Sequence, residues 1–97
     1  MQYLVIRKYN RDAEALRHSS HPEHRKFIDS IQARILHGAR LFDENESSVG
    51  SAVVYLGDNR ADVEKLIAAD PYCKNGVYFS SELFQFSPSI KDGARTS

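Results

Sequence analysis

The chain has 97 residues, enough for one small domain with a modest hydrophobic core. Thirteen basic side chains balance thirteen acidic ones, with 41% apolar and 27% charged residues. No net field exists to draw in nucleic acid or an anionic membrane surface, and neither is an expected partner. Cys73 is the only cysteine, which excludes an intramolecular disulfide and makes a reducing, cytoplasmic setting the default. The N-terminal region has no apolar run long enough for a signal peptide or a membrane span.

Gln2 to Tyr9 is dense in β-branched and aromatic residues and reads as a strand. One face carries Tyr3, Val5, Arg7 and Tyr9, the other Leu4, Ile6 and Lys8. Both faces carry apolar residues, so both call for cover. Asn10 to Ser20 is polar, with room for a helical turn around Asp12 to Arg17. Ser19 and Ser20 ahead of Pro22 form a helix-start signal. The spacing predicts a helix from about Pro22 to about Ala33, with Phe27, Ile28 and Ile31 on its apolar stripe and His24 in line with them.

Arg34 to Phe42 reads as a second strand, with Gly38 inside it marking a bulge or a close approach by a backbone or ligand. An acidic turn, Asp43 to Ser48, leads into a third strand, Gly50 to Gly57, which forms a hairpin with the second. Asp58 or Asn59 can cap a second helix whose stripe is Val63, Leu66 and Ile67. Asp70 falls on that same stripe, directly before Pro71. Gly76 turns the chain into a fourth strand from Val77 to about Ser87, and Pro88 ends it. Residues 1–90 form the expected domain and 91–97 a frayed tail.

The order βαββαβ predicts an α+β, ferredoxin-like fold, an antiparallel sheet with two helices on one face. The bare sheet face needs cover that so short a chain cannot supply. A second copy is the simplest answer, with Tyr3, Val5 and Tyr9 as contributors, so a homodimer is expected.

In this topology the two helices run antiparallel, and His24 and Asp70 fall at one rim of the domain, both facing the sheet. An aspartate beside an imidazole fixes its tautomer and can equip it for general acid or base work. A structural ion pair at the rim fits the same spacing. Asp70-Pro71 by itself is also ordinary turn chemistry, since an Asp can bond its own downstream backbone.

Arg17, Pro22 and His24, with Phe27 and Asp29 after them, then Ala69-Asp70-Pro71-Tyr72 and Gly76-Val77-Tyr78, together resemble the signatures of the YCII-related (YciI-like) family. The resemblance spans Gln2 to about Pro88. It implies a dimeric α+β barrel and a His–Asp pair in a pocket, here His24 and Asp70. One relative is a dehydrochlorinase acting on a chlorinated hydroxyhydroquinone. The resemblance thus implies a cofactor-independent elimination or isomerisation on a small cyclic or aromatic molecule, with Arg17, Gly38, Pro71 and Tyr72 as substrate contacts. A non-catalytic dimer holding a small ligand in the same pocket is the alternative. The chain departs from the family pattern at Gly38-Ala39, where Gly-Pro is usual. An ungapped alignment backwards from Gly38 points to His21; the placement of Arg17 and Pro22 favours His24.

Three other constellations stand beside this one. His18, His21 and His24 recur at a spacing that can present imidazoles to a metal, with Asp70 completing the set. Pro22 is expected to interrupt that helix, and no metal or cofactor is expected. Cys73 is either a nucleophile near Asp70 or, as free cysteines usually are, a small apolar filler. Arg17 either clamps an anionic substrate or pairs with a surface acid such as Glu14.

Overall fold

The computed structural model describes residues 1–96. Strands β1 (Gln2–Tyr9), β2 (Ile35–Phe42), β3 (Ser48–Leu56) and β4 (Tyr78–Phe86) form one antiparallel sheet in the order β2-β3-β1-β4. Helix α1 (Glu14–Ser30) joins β1 to β2 through a 3-10 turn at Gln32–Arg34. Helix α2 (Arg60–Ala69) and the single-turn helix α3 (Pro71–Lys74) join β3 to β4. The fold is ferredoxin-like α+β.

The core explains why the sheet is covered on one side. Tyr3 and Val5 of β1 and Val53 and Tyr55 of β3 pack against Val63 and Ile67 of α2, with Ile31, Ile35 and Leu83 at the margin. The 3.6-residue stripe of α2 meets the two-residue alternation of the strands. Tyr3, Val5 and Tyr9 therefore lie on the helix side, contrary to their expected place on the bare face. Both phases of β1 are apolar, and alternation alone does not say which one the helices take. The bare face instead carries Leu4 paired with Val54 and Phe84, and Ile6 paired with Ala52.

Helix α1 begins eight residues earlier than the sequence signal at Pro22 suggests, and Pro22 lies inside it. The proline removes one intrahelical donor, yet the helix continues through it. The earlier turns are held from outside: Ser20 is buried and receives a 2.8 Å hydrogen bond from the Asn75 side chain. Asn59 caps α2, its side chain accepting from the Asp62 N–H at 2.9 Å. The register of β2 on β3 shifts between Ile35 and His37 and again between Leu41 and Phe42, and a Cβ on Gly38 would meet nothing within 4 Å, so neither a bulge nor a close approach occurs there. Gly50 does carry such a constraint, because a Cβ at this position would collide with the carbonyl of Arg7.

The loop before β4 is fixed by Asn10, whose side chain donates to the carbonyls of Gly76 (2.8 Å) and Tyr78 (3.1 Å). Gly76 has the positive φ that glycine tolerates. Beyond β4, Ile90–Lys91 and Ala94–Arg95 pair in a two-stranded hairpin. Ser97, the end of the expected tail, lies outside the described residues. No helix of the described residues is long and apolar enough to cross a membrane.

Candidate active site

Asp70 stands where α2 stops and α3 starts. Its backbone is extended (φ −66°, ψ 125°), as a residue before proline prefers. It closes α2 and also caps α3: Oδ1 accepts from the Tyr72 N–H at 2.9 Å, and Pro71 occupies the first helical position. The turn chemistry read from Asp-Pro is therefore present, and it orients the carboxylate. An acid is out of place at the end of α2 but favoured at the start of α3. The Asp70 N–H bonds to Ile67 and its carbonyl accepts from Lys74, so every polar atom of this fully buried residue has a partner.

The same Oδ1 lies 2.8 Å from Nδ1 of His24 on α1. His24 stacks face to face on Tyr72, with ring centroids 3.7 Å apart and planes 2° from parallel. The imidazole is thus fixed in two directions, by the carboxylate in its plane and by the phenol ring on its face. Its Nε2 has no hydrogen-bond partner among the described residues. His21, one turn earlier, meets the Tyr72 hydroxyl through Nδ1 at 3.1 Å. The two histidines so hold opposite aspects of one short segment, Asp70 to Tyr72.

The second carboxylate oxygen faces a residue the sequence reading did not single out. Arg7 of β1 approaches Asp70 Oδ2 at 3.4 Å and the Tyr55 hydroxyl at 3.5 Å, and its guanidinium lies 4.6 Å from the Tyr78 ring centre. Arg7 is 1% exposed and Asp70 0%. Burial works against the Arg7 cation, but Tyr55, Tyr78 and Asp70 outweigh it and hold the guanidinium above its ordinary range. Burial, partly offset by Arg7, pushes the Tyr55 hydroxyl up; the Tyr78 hydroxyl is driven far up by the same cause. Tyr72 is also raised, by burial and then by Tyr9. The only local signal for Arg7 was its phase, in line with Tyr3 and Val5 on β1.

An open cavity of about 440 Å³, lined by Glu14, Arg17, His18, His21, Pro22 and Tyr72, adjoins the site through Tyr72, while His24 and Asp70 themselves do not line it. Arg17 forms no ion pair among the described residues. Its guanidinium sits over the Tyr9 ring at 4.0 Å, and its Nε is buried without a partner. The structure thus gathers His24, Asp70, Tyr72 and Pro71 at one place, with Arg17 on the adjoining wall. Gly38 stands on the edge strand β2, opposite Val53, and joins none of them. Cys73 is exposed on α3, so it is not the buried apolar filler its residue type suggested. Among the described residues, no three His, Cys, Asp or Glu side chains cluster as metal ligands would.

A ferredoxin-like sheet with a buried carboxylate presenting an imidazole at the helix rim defines a small α+β domain built around a His–Asp contact. The chain belongs to the YCII-related domain family, whose model matches residues 1–87. Among solved structures it is similar to the 5-chloro-2-hydroxyhydroquinone dehydrochlorinase TftG from Burkholderia phenoliruptrix AC1100, in complex with 2,5-dihydroxybenzoquinone. That likeness has a TM-score of 0.81 at 17% identity and covers 90% of this chain and 94% of that one. No curated protein matches the sequence.

Proposed function

We propose that the protein is a small enzyme in which His24, oriented by Asp70, transfers a proton during an elimination or isomerisation of a small cyclic or aromatic molecule. The observation that carries this reading is the 2.8 Å contact between His24 Nδ1 and a fully buried Asp70 carboxylate whose other bonds fix it in place. Such a contact puts the imidazole proton on Nδ1 and leaves a lone pair at Nε2. In an elimination, Nε2 takes a proton from the substrate, the freed electron pair forms the new double bond, and the leaving group departs from the neighbouring atom with its electrons. Asp70 then stabilises the imidazolium until its proton passes to water or product.

Further features support the substrate class. The similar TftG is named for a chlorinated hydroxyhydroquinone and was solved with a dihydroxybenzoquinone, both flat oxygenated rings. Tyr72, stacked on His24, also lines the adjoining cavity, and Arg17 on the same wall, with no carboxylate on it, suits an anionic or phenolate oxygen. Two copies join through the bare sheet face, where the half-buried Leu4 and Ile6 lie next to the exposed Phe84. A second reading is favoured by the same unpaired Arg17: a dimer that binds a small anion without converting it.

Incubation with a panel of hydroxylated and chlorinated rings, following chloride release and ring absorbance, tests the proposal. Turnover that disappears in His24→Ala while ligand binding survives supports the enzyme. Tight binding with no turnover of any ring by the wild type would favour the binding protein.

A further inference from the structure

We propose that Arg7 is a positioning residue for the chemistry at His24: it carries the countercharge of Asp70, so that the imidazole rests neutral with its proton on Nδ1. This rests on the reading of His24 as the proton-transferring residue.

A guanidinium with 1% exposure is rare unless a partner compensates it. Arg7 has one anionic partner, Asp70 Oδ2, and the remaining neighbours are the Tyr55 hydroxyl and the Tyr78 ring. Its Nε is buried with no hydrogen-bond partner among the described residues. The side chain is therefore poorly satisfied for a purely structural role, and what it does supply is a fixed positive charge under the carboxylate.

The titratable and charged groups around the imidazole allow the charges to be counted. They are Asp70 and Tyr72 on the α2–α3 segment, Arg7 and Tyr9 on β1, Tyr55 on β3, Tyr78 on β4, and Arg17 and His21 on α1. Tyr55, Tyr72 and Tyr78 are all held in the neutral form by burial. Asp70 is the single carboxylate, and Arg7 is the cation that touches it. Arg7 and Asp70 cancel, and Arg17 lies apart over the Tyr9 ring, so a neutral His24 leaves the contacting trio of Arg7, Asp70 and His24 neutral. A protonated His24 adds an uncompensated charge.

Without Arg7, the balance reverses. Asp70 would be a buried anion whose remaining charged neighbour is His24, and an imidazolium would be the natural counter-ion. A resting imidazolium has no lone pair on Nε2 and cannot act as a base. The two carboxylate oxygens divide the labour: Oδ2 faces the permanent cation, and Oδ1 accepts from His24 and the Tyr72 backbone. Asp70 can then orient the imidazole and stabilise the charge formed during proton transfer without drawing a proton onto the resting ring.

Nitrogen NMR of the full chain with labelled histidine, recorded at neutral pH, tests this. The wild type should show His24 protonated at Nδ1 and bare at Nε2, Arg7→Lys should keep that form, and Arg7→Gln should show both nitrogens protonated. In parallel, the rising limb of activity against pH should move up in Arg7→Gln and stay in place in Arg7→Lys. An imidazolium in the resting wild type, or an unchanged neutral His24 in Arg7→Gln, overturns the inference. Should Arg7→Gln not fold, the wild-type and Arg7→Lys spectra decide alone. The spectra need no substrate, so they stand apart from the functional reading: turnover that survives in His24→Ala would sink that reading and leave the charge assignment intact.

Discussion

Arg7 and Asp70 lie 63 positions apart in the chain and meet as an ion pair with almost no solvent exposure. One comes from the first strand, the other from the junction of two helices. Pairing of this kind does more to make removal of one partner costly than to stabilise the fold, because the survivor is left as a buried, uncompensated charge.

Asp70→Asn isolates that effect. The amide oxygen can still accept from the Tyr72 N–H, so the cap on α3 stays. The charge is lost and Arg7 is stranded. Stability should fall by about 3–5 kcal/mol, read from urea unfolding of the same chain. Asp70→Ala should cost about 1 kcal/mol more, for the missing cap. The double variant Arg7→Met, Asp70→Asn should recover much of the loss, since no buried charge remains. Equal instability of single and double variants would mean that the loss comes from packing.

The buried tyrosines make stability depend on alkali. Tyr78 has a folded-state pKa above its ordinary 10.0, chiefly from burial, and Tyr55 is shifted in the same direction. The folded chain thus holds these protons more tightly than the unfolded chain does. Their contribution is whole below pH 10 and is lost as pH rises towards the folded-state values. Unfolding free energy measured between about pH 9 and 12 should decline, and the decline should be shallower in Tyr78→Phe. A slope unaltered by that substitution would assign the alkaline loss to other groups.

Much of the fold was legible because the two periods in the sequence do not conflict. The β-branched and aromatic density of Gln2–Tyr9 and the Val63–Ile67 stripe each point to one element type, and their order admits few topologies. The contact between His24 and Asp70 was legible to the extent that each lies on an inward stripe. Three features were not. Residues 14 to 21 have no apolar stripe, and their helix is held by outside contacts such as Asn75 to Ser20. The two apolar faces of β1 left its phase open, which misassigned Tyr3 and Val5. Arg7 on a strand reads as a surface residue until its distant carboxylate is known, and nothing local announces that partner.

The bare sheet face yields a prediction about assembly. Leu4 and Phe84 are neighbours across β1 and β4, and Phe84 is 46% exposed in the single chain. A stable contact between two copies should bury on the order of 1,000 Å² or more. Leu4→Lys with Phe84→Glu places charges in that contact without touching the core beneath the helices. Light scattering at micromolar concentration should give a dimer for the wild type and a monomer for this variant, with unchanged circular dichroism. A wild-type monomer would remove the dimer from the proposal.

The last prediction separates the two histidines. His24 contacts the buried carboxylate directly, whereas His21 reaches the site through the Tyr72 hydroxyl. If His24 is the base, His24→Ala should lower kcat by about 10²–10⁴-fold, the usual worth of a positioned acid or base. His21→Ala removes one hydrogen bond from a ring that supports His24. That loss is worth about 0.5–1.5 kcal/mol, so kcat should fall by about tenfold or less. Tyr72→Phe deletes the same bond from the other side and keeps the stacked ring, so it should match His21→Ala, and the double variant should be no worse than either single one. Tyr72→Leu, which also removes the flat face against the imidazole, should cost more than Tyr72→Phe. Steady-state kinetics on one converted ring substrate resolves the set. A His21→Ala variant as impaired as His24→Ala would move the proton-transferring role towards His21 and the Tyr72 hydroxyl, and would leave Asp70 as the cap of α3 and the partner of Arg7.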